Sequence, residues 1–176
     1  MSAVRRLLVA LVVPGIAVAC DRSPTAVGTT PPAALSASLI KTPALVLCSQ
    51  SHDSVTSVIG PRGGYIAVGP HYLFIDSLVL QTPVSITAVA PAGDVRWVRF
   101  SPDGLQFPAN RTDGWGAILI TNYGDCGLPK TVSPRIAQIT DALDILTYLQ
   151  TYLKVSQGKL YVVGLLPHFS NYAVAW

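Results

Sequence analysis

The chain contains no glutamate; its nine acidic residues are all aspartate. Glutamate is the common acid of helix surfaces and half of the repertoire of catalytic carboxylates, so its absence weighs against a helical fold and against carboxylate chemistry. Charge is sparse, at 12% of 176 residues, and no run of Lys or Arg interleaves with aromatics. The formal net charge of +3 includes Arg5 and Arg6. Without them ten basic residues face nine acidic ones, which leaves no electrostatic footprint for nucleic acid. Histidine is limited to His52, His71 and His168. There is no C-x-x-C, no D-x-D-x-D-G loop, and no glycine-rich loop followed by Lys-Ser/Thr. Signatures for zinc, EF-hand calcium and phosphate loops are therefore missing, and nothing in the sequence asks for a cofactor or metal. What is present is a 50% hydrophobic chain rich in Val, Thr, Tyr, Ile, Gly and Pro. That mixture suits short strands joined by sharp turns.

Long apolar runs are also missing. Arg5-Arg6 precede an apolar stretch, Leu7 to Ala19, that ends at Cys20. A helix of that length would reach about 20 Å, short of a hydrocarbon core of about 30 Å. The charged start, short apolar centre and small residues at its end read as a secretory signal over residues 1–19. Ala17-Val18-Ala19-Cys20 resembles the lipobox of bacterial lipoproteins, in which the cysteine takes a diacylglycerol on sulfur and becomes the new N-terminus. Acyl chains such as palmitate, at about 0.8 kcal/mol per buried CH₂, would hold such a protein on a membrane. Leu is usual where Ala17 stands, and Ala17-x-Ala19 also fits an ordinary signal-peptidase site. A soluble secreted protein with a free Cys20 is therefore the alternative. Residues 20–44, rich in Ser, Thr, Pro and Ala, read as the lipidated cysteine and a flexible tether. The expected location is the bacterial envelope, on the periplasmic side or the cell surface.

With Cys20 assigned to lipid, two of the three cysteines remain. Cys48 and Cys126 lie 78 residues apart in a chain bound for an oxidising compartment, where pairing is the default. Closing such a loop would stabilise by about 4.5 kcal/mol. A zinc site is disfavoured, because the two cysteines stand far apart in the chain and no C-x-x-C is present.

Residues 45–176 read as one domain of short apolar segments punctuated by turns. Gly60-Pro61-Arg62-Gly63-Gly64, Gly69-Pro70, Asp103-Gly104 and Asp113-Gly114 are turn signals. Tyr65–Val68, Tyr72–Ile75, Val84–Val89, Val95–Phe100, Ala117–Thr121 and Lys159–Leu166 are the predicted strands. Their spacing of roughly 8–12 residues points to an all-β antiparallel sandwich or barrel. One segment has a different period. Ile139, Ala142, Leu146, Leu149 and Leu153 follow a 3–4 spacing, with Asp141 placed as an N-cap, which by itself predicts a helix over 141–154.

Four stretches together resemble the ZU-five domain family, a β-sandwich found in ankyrins, netrin receptors and a death-domain scaffold. They are Gly60-x-x-Gly63-Gly64 leading into Tyr65–Val68; Val84-Ser85-Ile86-Thr87; Ser101-Pro102-Asp103-Gly104-Leu105-Gln106-Phe107; and His168-Phe169-Ser170-Asn171-Tyr172-Ala173. The family's I-P-x-G-A-L stretch is replaced by Ile75-Asp76-Ser77-Leu78. The resemblance spans residues 60–176. It implies a ZU-five-type sandwich with strands over 141–154, and it implies interaction work.

Candidate chemistry is thin. His52-Asp53-Ser54 reads as a triad only along the chain, since neighbours on an extended backbone point to opposite sides. His71, next to Pro70, reads as a strand-edge residue. Asp94, Asp103 and Asp113 each neighbour Gly and read as turn builders. Asn110-Arg111-Thr112 is a glycosylation sequon by composition only. In the death-domain scaffold of that family the tripeptide matching His168-Phe169-Ser170 is a self-cleavage site, which implies Ser170 as nucleophile on the Phe169 carbonyl and His168 as base. Ankyrin and netrin-receptor domains carry a similar pattern without cutting. The architectural reading has His168 and Ser170 hydrogen-bonding at a bend, after which Tyr172, Val174 and Trp176 close the core. A carbohydrate-binding sandwich would need exposed aromatics, and Trp97, Trp115 and Trp176 are the candidates, with burial the expected fate of each. The favoured expectation is a non-enzymatic envelope lipoprotein, held to the membrane through its N-terminal lipid. Its domain would bind an envelope protein or polysaccharide.

Overall fold

The computed structural model describes residues 44–107 and 116–176. The signal segment, Cys20, the tether up to Pro43, and Asn110–Trp115 with the Asp113-Gly114 turn lie outside the described residues. Among the described residues there is no helix, so none is long and apolar enough to cross a membrane. There are thirteen strands in this part of the chain: β1 (Leu47–Gln50), β2 (Asp53–Ile59), β3 (Gly64–Val68), β4 (His71–Ile75), β5 (Val84–Ala90), β6 (Gly93–Val95), β7 (Trp97–Ser101), β8 (Ala117–Asn122), β9 (Arg135–Ile139), β10 (Ile145–Tyr148), β11 (Thr151–Ser156), β12 (Lys159–Leu165) and β13 (Asn171–Ala175).

They form an antiparallel β-sandwich. One sheet has the order β10-β9-β13-β7-β5-β2 and the other β11-β12-β8-β4-β3, with β1 and β6 pairing as a separate ribbon. Alternation along each strand builds the core. On β8, Ala117, Leu119 and Thr121 point inward while Ile118, Ile120 and Asn122 point out. Ile66, Leu73, Ile86, Phe100, Val162 and Tyr172 meet between the sheets, each no more than 2% exposed. Two glycines set the spacing. A Cβ on Gly164 of β12 would lie 2.9 Å from Ile136 Cδ1 on β9, so only a bare backbone lets the sheets close there. Gly63 sits at φ +69° in the turn before β3, and a Cβ there would lie 2.5 Å from the Ile75 carbonyl oxygen.

The 3–4 period over 141–154 makes strands, as the family resemblance implied. Its members do not share an environment: Ile139 and Leu149 are buried, whereas Leu146 and Leu153 are 58% and 51% exposed. No continuous apolar stripe exists for a helix to bury. Turn chemistry decides the matter locally. Thr140 Oγ1 accepts the amides of Ala142 and Asp144, and Leu143 takes a left-handed φ of 67°, so the chain reverses between β9 and β10. Gln157 and Gly158, both at positive φ, make the two-residue hairpin between β11 and β12. The predicted strand Val95–Phe100 is broken at Arg96, whose side chain turns into the protein. Strands β1, β2 and β9 were not anticipated.

Candidate functional site

The bend into β13 holds His168-Phe169-Ser170. Phe169 is fully buried, stacked on Phe100 at 5.3 Å and edge-on to Phe107 at 4.9 Å. Its carbonyl oxygen accepts the Gly104 amide at 3.0 Å and faces His168 Nδ1 at 2.9 Å. Ser170 Oγ accepts from Gln138 Nε2 at 3.2 Å. The two side chains hydrogen-bond at the bend, His168 to Phe169 O and Ser170 to Gln138. His168 Nδ1 is directed at the carbonyl oxygen of the bond that self-cleavage would break. Tyr172 donates its hydroxyl to His168 O at 2.6 Å, and burial raises its pKa, with Asp103 adding to the shift. A polar recess beside Ser170 is lined by Arg99, Asp103 and Asp141. There the Arg99 guanidinium is paired with Asp141, and Asn171 Nδ2 donates to the same carboxylate at 2.9 Å.

A second polar cluster surrounds the cysteines. Cys48 and Cys126 stand at disulfide distance, with sulfurs 2.08 Å and Cα atoms 4.8 Å apart. Arg96, only 3% exposed, forks onto Asp125 at 2.5 and 3.0 Å and donates to the carbonyls of Asn122 and Ser49 at 2.8 and 3.1 Å. The Arg96 hydrogen bond holds the Asp125 carboxyl below its ordinary pKa. Asp125 and the two sulfurs lie within 4.8 Å of one another, a set of metal-ligand type. The carboxylate is already held by Arg96, however, and sulfurs at bonding distance from each other offer no thiolate.

His71 belongs to this end of the sandwich. It stands at the edge of its strand, as the first residue of β4, but that strand is interior to its sheet and the side chain is 1% exposed. Gln50 Nε2 donates to the carbonyls of Pro91 and Trp97, which leaves its Oε1 to accept His71 Nε2–H at 3.1 Å. His71 Nδ1 then accepts the Thr121 hydroxyl at 2.9 Å. Both ring nitrogens are satisfied in the neutral form. Burial, with Arg96 nearby, lowers the His71 pKa to about 3. This geometry describes a structural histidine.

The remaining sequence candidates are dispersed. His52 and Ser54 are exposed, and the Asp53 carboxylate accepts the amides of Ser54 and Gly69 at 2.9 and 2.7 Å. Gly60–Gly64 opens strand β3, as expected for a turn. Asp94 accepts the Ser49 hydroxyl at 3.1 Å, and Asp103 precedes Gly104 at φ +72°. Trp97 and Trp176 are half-buried, between the expected burial and the exposure that sugar binding would need, with Arg99 placed 5.7 Å from the Trp97 ring.

Sequence reasoning missed the outer face of the five-stranded sheet. Phe74, Ile118, Ile120, Val163, Tyr152 and Lys154 line an open groove of about 600 Å³ on it, with Asp76 at one end. Tyr65, 66% exposed, stacks on Phe74 at 5.7 Å. An antiparallel sheet facing water normally alternates apolar and polar residues. The signal was legible in β8 and β12, where Ile118, Ile120, Tyr161 and Val163 keep the outward positions apolar. Compared with known proteins, the chain matches no family model, and no curated protein is significantly similar to it.

Proposed function

We propose that this protein is a non-enzymatic envelope lipoprotein whose β-sandwich presents an interaction module of ZU-five type. The observation that carries the reading is the apolar outer face of the five-stranded sheet. Contiguous exposed apolar surface of this kind marks a binding site more often than an idle face. The apolar lining, with Asp76 and Lys154 at its margins, fits an apolar segment of another envelope protein. The ordered motifs from Gly60 to Ala173 support the family assignment, and Arg5-Arg6 with Ala17–Cys20 supports the anchor. Two experiments test it. Palmitate labelling in a bacterium with lipoprotein machinery is expected for the wild type and absent in Cys20→Ser; an unmodified, freely secreted wild type refutes the anchor. A photo-crosslinker at Phe74 is expected to give a discrete adduct that Ile120→Lys removes, and one at Val58, exposed on the outer face of the other sheet, is expected to give none. Equal labelling at both positions refutes the groove.

A second reading, self-cleavage between Phe169 and Ser170, is favoured by the two contacts on the Phe169 carbonyl oxygen, from the Gly104 amide and His168 Nδ1. Donors so placed polarise a carbonyl toward attack. Ser170 Oγ would add to the carbonyl carbon, the C–N bond would break with the proton passing to the new amine, and water would hydrolyse the ester. Cleavage there would part β13, a buried core strand, from the rest of the sandwich, so the intact chain is the expected state. Denaturing intact-mass measurement decides it: a species ending at Phe169, absent in Ser170→Ala, establishes cleavage.

A further inference from the structure

Strand β11 ends the five-stranded sheet, and among the described residues no strand lies on its far side. It is six residues long, pairs with β12 in unbroken register, and contains neither proline nor bulge. Edges are normally blunted by such features. At the other ends of the two sheets, β10 is four residues long with a register shift, and β2 runs directly through the Gly60–Gly63 turn into β3. On β11, Leu153 is 51% and Val155 70% exposed.

The hairpin fixes which backbone groups face outward. With a two-residue turn at Gln157-Gly158, Ser156 and Lys159 form the closing hydrogen-bonded pair, so Tyr152, Lys154 and Ser156 bond inward to β12. The Leu165 amide bonded to Gln150 O continues the same parity. The amides and carbonyls of Thr151, Leu153 and Val155 therefore point at the open edge.

We propose that this edge is an interface between two copies of the chain, with β11 pairing antiparallel to β11 about a twofold axis at Leu153. The register follows from counting. Centred on Leu153, the pairs Thr151–Val155, Leu153–Leu153 and Val155–Thr151 are all hydrogen-bonded pairs, the largest number this strand can make with itself. Centring on Lys154 loses one pair and sets Lys154 against its own copy, a like-charge contact that destabilises. Centring on Tyr152 also loses one. In the Leu153 register each Lys154 lies opposite the other copy's Tyr152, where a cation can meet a ring. The strand's only charge is thus matched to an aromatic at both ends of the interface. Leu153 meets Leu153 on the opposite face. An isologous interface requires this self-complementarity. The two outer-face grooves, both bordered by Tyr152 and Lys154, then become neighbours on one ten-stranded sheet. The inference does not depend on what the groove binds. Two strands of this length bury on the order of 600 Å², below the roughly 1,000 Å² of a permanent dimer. The pairing is therefore concentration-dependent.

Cysteine cross-linking of the full chain carrying Cys20→Ser, in detergent, tests the register. Directly opposed hydrogen-bonded residues have Cα atoms about 5.5 Å apart, within disulfide reach. Leu153→Cys is expected to give a covalent dimer on mild oxidation. Val155→Cys, at least as exposed, lies about 13 Å from its own counterpart in this register and is expected to stay monomeric. Sedimentation of the same Cys20→Ser chain is expected to show a reversible dimer that Leu153→Lys abolishes. Equal cross-linking at both positions, or a strictly monomeric Leu153→Cys, overturns the proposal. The latter result is also the one expected if a strand of a different protein fills the edge.

Discussion

Removing the Cys48–Cys126 link by Cys48→Ala with Cys126→Ala measures how far it stabilises the sandwich. The loop it closes spans 78 residues, and loop-closure entropy for that length amounts to about 4.5 kcal/mol. Alanine is the replacement because Cys48 is only 6% exposed, where a serine hydroxyl would be buried. Unfolding entropy near 2.1 cal/mol/K per residue gives about 280 cal/mol/K for a domain of about 130 residues. Dividing one by the other, the melting temperature should fall by about 16 °C. Differential scanning calorimetry with and without reductant is the assay. The wild type should drop by a similar amount in reductant, and the double variant should not respond to it. A wild type that melts within about 4 °C of the double variant, or that shows two alkylatable thiols when purified without reductant, refutes the reasoning.

Three further outcomes follow from the packing. His71 has its pKa lowered to about 3 from 6.5, so the unfolded chain takes up the proton first. The stability it contributes is complete above pH 6.5 and is lost as pH falls toward 3, by about 2 kcal/mol at pH 5; urea midpoints at pH 8 and pH 5 measure this, and equal midpoints would count against it. Phe169→Ala empties a site shared with Phe100 and Phe107 and should cost about 3–5 kcal/mol in urea unfolding, with a loss under 1 kcal/mol contradicting the packing. Gly63→Ala forces a left-handed φ and a Cβ contact with the Ile75 carbonyl; it should cost at least about 1–2 kcal/mol, and an unchanged midpoint would refute it.

The fold class was readable because its causes are local. Turn dipeptides such as Asp103-Gly104 and glycines such as Gly63 act through backbone geometry within a few residues, and period-two alternation in Tyr72–Ile75 and Val84–Val89 needs only one buried face. The cysteine pairing was readable by count, since three cysteines with one assigned to lipid leave two. Over 141–154 the local pattern pointed to a helix, and only the sheets decided otherwise. Ile139 and Leu149 had inner positions to fill, Leu146 and Leu153 did not, and Thr140 and Gln157-Gly158 reversed the chain at each side. His71, Arg96 and Asp125 show the same limit, because a buried polar group is satisfied by partners as far away in sequence as Gln50 and Thr121. The outer apolar face depends on which strands become neighbours: Phe74, Ile118 and Val163 are unremarkable one by one and form a groove only when β4, β8 and β12 lie side by side. Chain-local chemistry determined the turns and the strands they bound, while tertiary pairing decided the strands over 141–154 and which side chains share a surface, since that is a property of strand order and not of any one strand.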